Sequence, residues 1–119
     1  MPKNDHRYHW TLHSRGKLFQ YNLTPNVVKR VIRHPDRVEE GIAPKTIAVM
    51  KRKDTAKQKR ELWTMYQQVG KKKRIISAWI YPGESPKGKE IYVPEDVWAE
   101  LEEMGLLNEK EHQKQRAEA

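Results

Sequence analysis

Four strand-like segments separated by short polar connections run through the middle of the chain, and they restrict its fold more than any other feature. They are RVEEGI (37–42), KTIAVMKRK (45–53), ELWTMYQQV (61–69) and RIISAWIY (74–81). The second and third alternate in the two-residue period of a strand with two different faces. The connections DTAKQKR and GKKK are short enough for antiparallel hairpins. RIISAWIY is apolar on both faces, so we expect it to be a central core strand.

The clearest helix signal precedes this block, in LTPNVVKRVIRHP. Thr24 is a good N-cap, and Pro25 suits the first helical position because its missing N–H needs no partner there. Four apolar residues (Val27, Val28, Val31, Ile32) fall on one face and basic residues (Lys29, Arg30, Arg33) on the other. Pro35 ends the helix.

Weaker patterns supply the remaining elements. HWTLHS (9–14) predicts a first strand, and Ser14 is then a plausible N-cap for a helix through 15–22. A third helix begins at Pro94 and stops at Gly105.

The resulting element order is β-α-α-β-β-β-β-α, which predicts an α+β domain with a mainly antiparallel sheet packed on helices. We expect this single domain to occupy residues 1–107. The last twelve residues, 108–119, contain no apolar residue except alanine and predict a polar, charged and disordered tail.

Composition narrows the class of protein. The chain has no Cys, so it has no disulfide framework and no thiolate metal site. No apolar run approaches the roughly 20 residues that span a bilayer, and the N-terminus lacks the apolar region of a signal peptide. We therefore expect a soluble cytoplasmic protein that does not meet a membrane. No Gly-rich phosphate loop, nucleophile elbow, catalytic carboxylate pair or dinucleotide fingerprint is present, so no cofactor is expected.

The charge of the chain is strongly divided. The net charge is +8, and residues 45–89 carry thirteen Lys and Arg against three acids, whereas residues 90–119 carry nine acids against three Lys and Arg. A basic body of this kind attracts nucleic acid or another polyanion. The alternative is a solvated surface with an acidic segment folded near it.

Two basic runs flank the predicted hairpins. Because alternate turns of a meander lie at opposite ends, we expect them to cap two ends of the sheet and not to form one patch. A charged turn can also simply keep a hairpin soluble. As a nucleic-acid interface the predicted residues are Lys51, Arg52, Lys53, Lys57, Lys59, Arg60, Lys71, Lys72, Lys73 and Arg74.

A second cationic group, His13, Arg15 and Lys17, lies at the start of the predicted first helix. It could bind phosphate together with free backbone N–H groups, or it could be a solvated helix face. His9 and His13 are four residues apart, but no acidic residue or Cys stands at ligand spacing, so no metal is expected.

The aromatic residues are open to two interpretations, core packing and base stacking. Trp63 and Trp98 are predicted to be core residues, whereas Tyr66, Trp79 and Tyr81 could serve either purpose.

Some local motifs resemble a known family. RVIRHPDRVEEG resembles the segment after the second helix in small bacterial domains that begin with an H-x-x-x-R/K motif, here His13 with Lys17. RIISAW resembles the closing RIISAR strand of BrnT-type toxins, which belong to the RelE-like ribonuclease toxins. The resemblance covers roughly residues 9–82. One difference is Trp79, which stands where those toxins carry an Arg and so removes a candidate phosphate contact.

The resemblance implies a RelE-like α+β fold and, in its toxin branch, metal-free cleavage of RNA. That reaction needs a base for the ribose 2′-OH, cations for the phosphorane charge and an acid for the leaving oxygen. His13, Arg15 and Lys17, with Arg74 on the sheet, are the candidates that the resemblance implies.

Three functions therefore remain open. The first is an RNA-binding, RelE-like endoribonuclease with an acidic antitoxin-like protein as partner. The second is a module that binds RNA or another nucleic acid without cleaving it. The third is a non-enzymatic protein-interaction domain. The acidic tail could also cover the basic sheet, in which case deletion of residues 108–119 should raise nucleic-acid affinity.

Overall fold

The computed structural model describes residues 2–88 and 90–107. The elements in chain order are β1 (Tyr8–Trp10), α1 (Leu12–Gln20), α2 (Pro25–Arg33), β2 (Arg37–Glu40), β3 (Thr46–Arg52), β4 (Arg60–Val69), β5 (Lys72–Pro82) and α3 (Glu95–Glu103). The predicted element order and the α+β class are confirmed. The predicted tail, 108–119, lies outside the described residues.

The five strands form one sheet in the order β1-β5-β4-β3-β2. β2 to β5 form an antiparallel meander, and β1 pairs with β5 in parallel. β4 is the central strand of the five-stranded sheet. Both predicted hairpins are confirmed. β5 lies inside the sheet, between β1 and β4, and its residues 75–79 are all buried. This matches the prediction from its apolar faces.

Each face of the sheet carries its own core. On one face, Val49, Leu62 and Ile75 pack with Leu18 of α1 and with the apolar side of α2. On the other face, the alternate residues of the same strands pack against Val97, Trp98 and Leu101 of α3. The sheet is therefore covered by helices on both sides, and α2 and α3 lie on opposite faces.

The start of α2 follows its sequence signals. The hydroxyl of Thr24 accepts a hydrogen bond from the Val27 backbone N–H at 3.2 Å, and Pro25 occupies the first helical position. Val28, Val31 and Ile32 are buried, as the apolar stripe predicted. The helix ends at Arg33, two residues before Pro35.

The start of α1 differs from the prediction. The N-cap is Thr11 and not Ser14, the helix begins at Leu12, and β1 ends at Trp10. The Thr11 hydroxyl accepts from the Ser14 backbone N–H and also donates to the Ile75 carbonyl at 2.8 Å. This second bond joins the start of α1 to β5. Because Ile75 is distant in sequence, the contact that favours Thr11 over Ser14 as the N-cap is not visible in the local sequence.

α3 begins after Pro94 and is followed by Gly105, as predicted. Gly105 has a φ of +70°, in the left-handed region that favours glycine after a helix.

Candidate nucleic-acid interface

The side of α2 that faces away from the sheet is polar and basic. Because the helix buries Val28, Val31 and Ile32, its opposite side carries Arg30 and Arg33, which are both exposed. These two residues are three positions apart and so lie one above the other on the helix surface. α2 therefore presents a cationic ridge above the sheet.

One groove along α2 is formed with the end of the β3–β4 hairpin. We call it the hairpin groove; it has a volume of about 190 Å³ and is lined by Val27, Arg30, Val31, Lys51, Arg52, Lys53 and Leu62. Its charge is partly neutralised. Arg52 pairs with Glu61 at 3.1 Å and with Asp54, and Lys51 lies 3.7 Å from Asp36. Arg30 and Lys53 form no ion pair within residues 2–88 and 90–107.

A second groove along α2 is formed with β1 and the β4–β5 turn. We call it the turn groove; it has a volume of about 350 Å³ and is lined by Arg7, Tyr8, Ile32, Arg33, Lys71 and Lys73. Its four cations form no ion pair with an acid in the part of the chain that the structure describes. Lys73 instead lies 6.0 Å from the centre of the Tyr66 ring. This groove therefore has four cations available to an anionic ligand.

The two grooves lie on opposite flanks of α2. At 3.6 residues per turn, the mean direction of Val27, Arg30 and Val31 is roughly half a turn from that of Ile32 and Arg33, and Arg30 and Arg33 themselves stand about 60° apart, on either side of the crest. The sheet register agrees with this arrangement, since Lys51 pairs with Leu62 of β4 and Lys73 pairs with Gln68. Those two β4 residues are about 20 Å apart at roughly 3.3 Å per residue. The basic turns thus cap two ends of the sheet, as predicted, and α2 stands between them.

The structure brings together only part of the predicted nucleic-acid set. Lys51, Arg52, Lys53, Lys71 and Lys73 line the two grooves.

The other predicted cations lie elsewhere. Lys59 pairs with Glu84 at 3.0 Å, and Arg74 donates to the Gln67 side chain at 3.0 Å. Lys57, Arg60 and Lys72 line neither groove.

Sequence reasoning missed Arg7, Arg30 and Arg33 as interface residues. For Arg30 and Arg33 the available signal is the basic side of the α2 pattern, which by itself indicates only the solvent face of an amphipathic helix. Their proximity to the two turns depends on how α2 lies across the sheet.

The second predicted group, at α1, does not form one open cationic site. Lys17 is almost completely buried, with 3% of its side chain exposed. Its ammonium group bonds to Asp96, to Glu100 at 2.9 Å and to Gln20 at 3.2 Å. All three acceptors are side chains, so the three N–H donors of the ammonium are satisfied within the protein.

Burial lowers the pKa of Lys17, but the hydrogen bonds and negative charges of Asp96 and Glu100 outweigh that effect and raise the pKa above its usual value. Glu100 also accepts a hydrogen bond from the Ser77 hydroxyl of β5 at 3.0 Å. The ion pairs therefore connect α1, α3 and the sheet.

The other two residues of this group have different partners. Arg15 donates to the carbonyls of Trp10 and Pro2 and to the Asn4 side chain, so it fixes the N-terminal segment. His13 lies 3.6 Å from Glu103 at the end of α3. The catalytic roles of His13, Arg15 and Lys17 stay predictions, and the geometry leaves His13 as the most accessible candidate base because Lys17 is enclosed.

The aromatic side chains are mostly internal. All four Trp residues are buried, and Trp63 stacks on Trp79 with ring centres 6.4 Å apart. Trp63 and Trp98 are core residues, as predicted, and Trp79 is one too. Tyr66 is 9% exposed, so little of its ring is available to a base.

Within residues 2–88 and 90–107, no helix is long and apolar enough to cross a membrane, and no three His, Asp or Glu side chains are grouped to hold a metal ion. Comparison with protein-family models, with curated proteins and with solved structures finds no match to this chain.

Proposed function

We propose that the protein binds nucleic acid through the ridge of α2 and the two grooves beside it. One observation carries the proposal: six cations around α2, four in the turn groove and two in the hairpin groove, have no ion-pair partner among the described residues. Cations held in two grooves across one ridge suit a ligand with phosphates repeated along a chain.

RNA is the ligand class that the resemblance to RelE-like toxins predicts, and the RelE-like fold itself is part of this hypothesis. The element order and the basic surface support it. An acidic antitoxin-like partner would compete with RNA for the same cations. Cleavage of RNA would need a further site, and His13 is the residue with which to test it.

The experiment measures binding of a labelled 16-nucleotide single-stranded RNA by fluorescence anisotropy at several salt concentrations with EDTA present. Six phosphate contacts on a single strand predict a slope of log affinity against log salt of about −4. The double variant Arg30→Gln, Arg33→Gln should reduce the magnitude of that slope by about 1.4, because each lost contact removes about 0.7.

Lys87→Gln controls for the loss of one surface cation outside the site, since Lys87 is exposed, lies on the 83–88 loop and lines neither groove. It should leave the slope unchanged. A denaturing gel of the same samples tests cleavage; the ribonuclease hypothesis expects cleavage without metal in the wild type and its loss in His13→Ala. Affinity that is weak and independent of salt would refute binding of single-stranded RNA. The same result with duplex probes would refute nucleic-acid binding altogether and favour the protein-interaction alternative.

A further inference from the structure

The outer surface of α2 has the chemistry of a helix that contacts bases. Asn26, Arg30 and Arg33 are all exposed and follow one another at four and three residues, so they form one polar stripe along the crest of the ridge. Arg and Asn are the side chains whose paired hydrogen-bonding groups match the edges of guanine and adenine. No acidic residue occurs between Pro25 and Arg33.

The flanks of the ridge match the two walls of a nucleic-acid groove. The major groove of B-form DNA is about 12 Å wide and admits an α-helix, with a phosphate backbone along each side. The hairpin groove and the turn groove lie on the two flanks of α2, and their lysines are about 20 Å apart along β4. A helix in the major groove would therefore place each phosphate backbone against one basic groove.

Single strands lack a comparable fit. Proteins that bind single strands use exposed aromatic rings, and each stacked base contributes about 1–3 kcal/mol. Among the residues that the structure describes, the only aromatic ring that lines either groove is that of Tyr8, which is 5% exposed. The most exposed aromatic side chain among the described residues, Phe19 at 91%, belongs to α1 and lines neither groove.

Duplex RNA fits the α2 face less well because of the shape of its grooves. The major groove of an A-form helix is deep and narrow, and its wide minor groove is shallow. A projecting helix with a basic groove on each flank needs a wide, deep groove between two backbones.

We infer that the ligand of the α2 face is B-form duplex DNA, with α2 in the major groove and one phosphate backbone in each basic groove. The inference rests on the proposed function in its general form, nucleic-acid binding at α2, and specifies a double helix in place of single-stranded RNA.

The test compares four labelled probes of one sequence and 16 units in length: duplex DNA, duplex RNA, single-stranded DNA and single-stranded RNA. Duplex DNA should bind at least about tenfold more tightly than the other three, since stacking is missing for single strands and the A-form groove excludes the helix. Dimethyl sulfate should then show protection of guanine N7, which faces the major groove, and none of adenine N3, which faces the minor groove.

Asn26→Asp tests the crest separately from the flanks. The new carboxylate lies in the first turn of α2, where it favours the helix, but it would meet the negative groove of a bound duplex. It should weaken duplex binding about three- to tenfold through like-charge repulsion over a few ångströms. Lys87→Gln changes the net charge by the same amount away from the crest and should have little effect.

The outcomes separate this inference from the function on which it rests. Preference for single-stranded RNA, preference for duplex RNA, or protection of adenine N3 in place of guanine N7 would overturn the inference and leave nucleic-acid binding standing. Failure of all four probes to bind would overturn both.

Discussion

Removal of the Lys17 ammonium is the most direct test of the ion pairs that join α1 to α3. In Lys17→Met, the linear side chain keeps its packing, but the carboxylates of Glu100 and Asp96 lose their shared cation. Glu100 is 13% exposed and remains largely buried, whereas Asp96 is 47% exposed and can turn to water. Removal of one partner of a buried pair costs about 3–5 kcal/mol, and the exposure of Asp96 places our expectation near the lower limit, at about 3 kcal/mol.

The assay is urea unfolding at pH 8, followed by circular dichroism. A loss of about 3 kcal/mol should also lower the melting temperature by about 10 °C in a chain of this size. The double variant Lys17→Met, Glu100→Gln should recover part of the loss, because it removes the carboxylate that is left buried without a partner. Lys87→Met, at an exposed site, should change the free energy of unfolding by less than about 0.5 kcal/mol.

The dependence on pH provides a second readout. The pKa of Lys17 is raised in the folded protein, so its contribution to stability is complete below the unfolded pKa of about 10.4 and is lost as the pH rises through the folded value. The difference in stability between the wild type and Lys17→Met should therefore decrease as the pH is raised above about 10.4. A destabilisation below about 1 kcal/mol that does not change with pH would refute the structural role and return Lys17 to the catalytic candidates.

Two further changes test local features of the fold. Gly105→Ala should lower the free energy of unfolding by about 1 kcal/mol, because the φ of +70° at this position strains any side chain. Gly16→Ala should raise the free energy of unfolding by a similar amount, because Gly16 lies inside α1 with open space around it. Chemical denaturation measures both changes. Glu61→Ala should lower the free energy of unfolding by about 2–4 kcal/mol, since the buried Glu61 carboxylate accepts hydrogen bonds from Ser85 and pairs with Arg52. It should also increase amide exchange at Ser85. The control Glu84→Ala removes an exposed ion pair and should change neither the stability nor the exchange.

Local chemistry explains which parts of the fold could be predicted. The N-cap and proline of α2 act within their own helix, and the alternation of β3 and β4 reflects two faces that any sheet would provide. The start of α1 could not be predicted in the same way. Local propensity does not favour Thr11, because Ser is at least as good an N-cap as Thr. What distinguishes Thr11 is its hydrogen bond to Ile75, 64 residues away.

Only the parts of the candidate site that are continuous in sequence could be predicted. Counting charges along the chain found the two basic turns, because each is continuous in sequence. It could not show that Arg7 and Arg33 line one groove, or that Lys17 meets Asp96 from 79 residues away. A cation in the sequence looks the same whether its partner is a phosphate or a distant carboxylate.

The parallel pairing of β1 with β5 determines the order in which the chain can assemble. β2 to β5 pair with sequence neighbours, so their contacts close short loops, whereas β1 reaches its partner only across the whole meander. Contacts of high sequence separation form slowly because loop closure must come first. During synthesis, the first strand must wait until its partner residues 73–75 have left the ribosome. We therefore expect the meander to form the folding nucleus and the N-terminal strand to dock late, so that substitutions at Trp10 should mainly accelerate unfolding and leave the folding rate nearly unchanged.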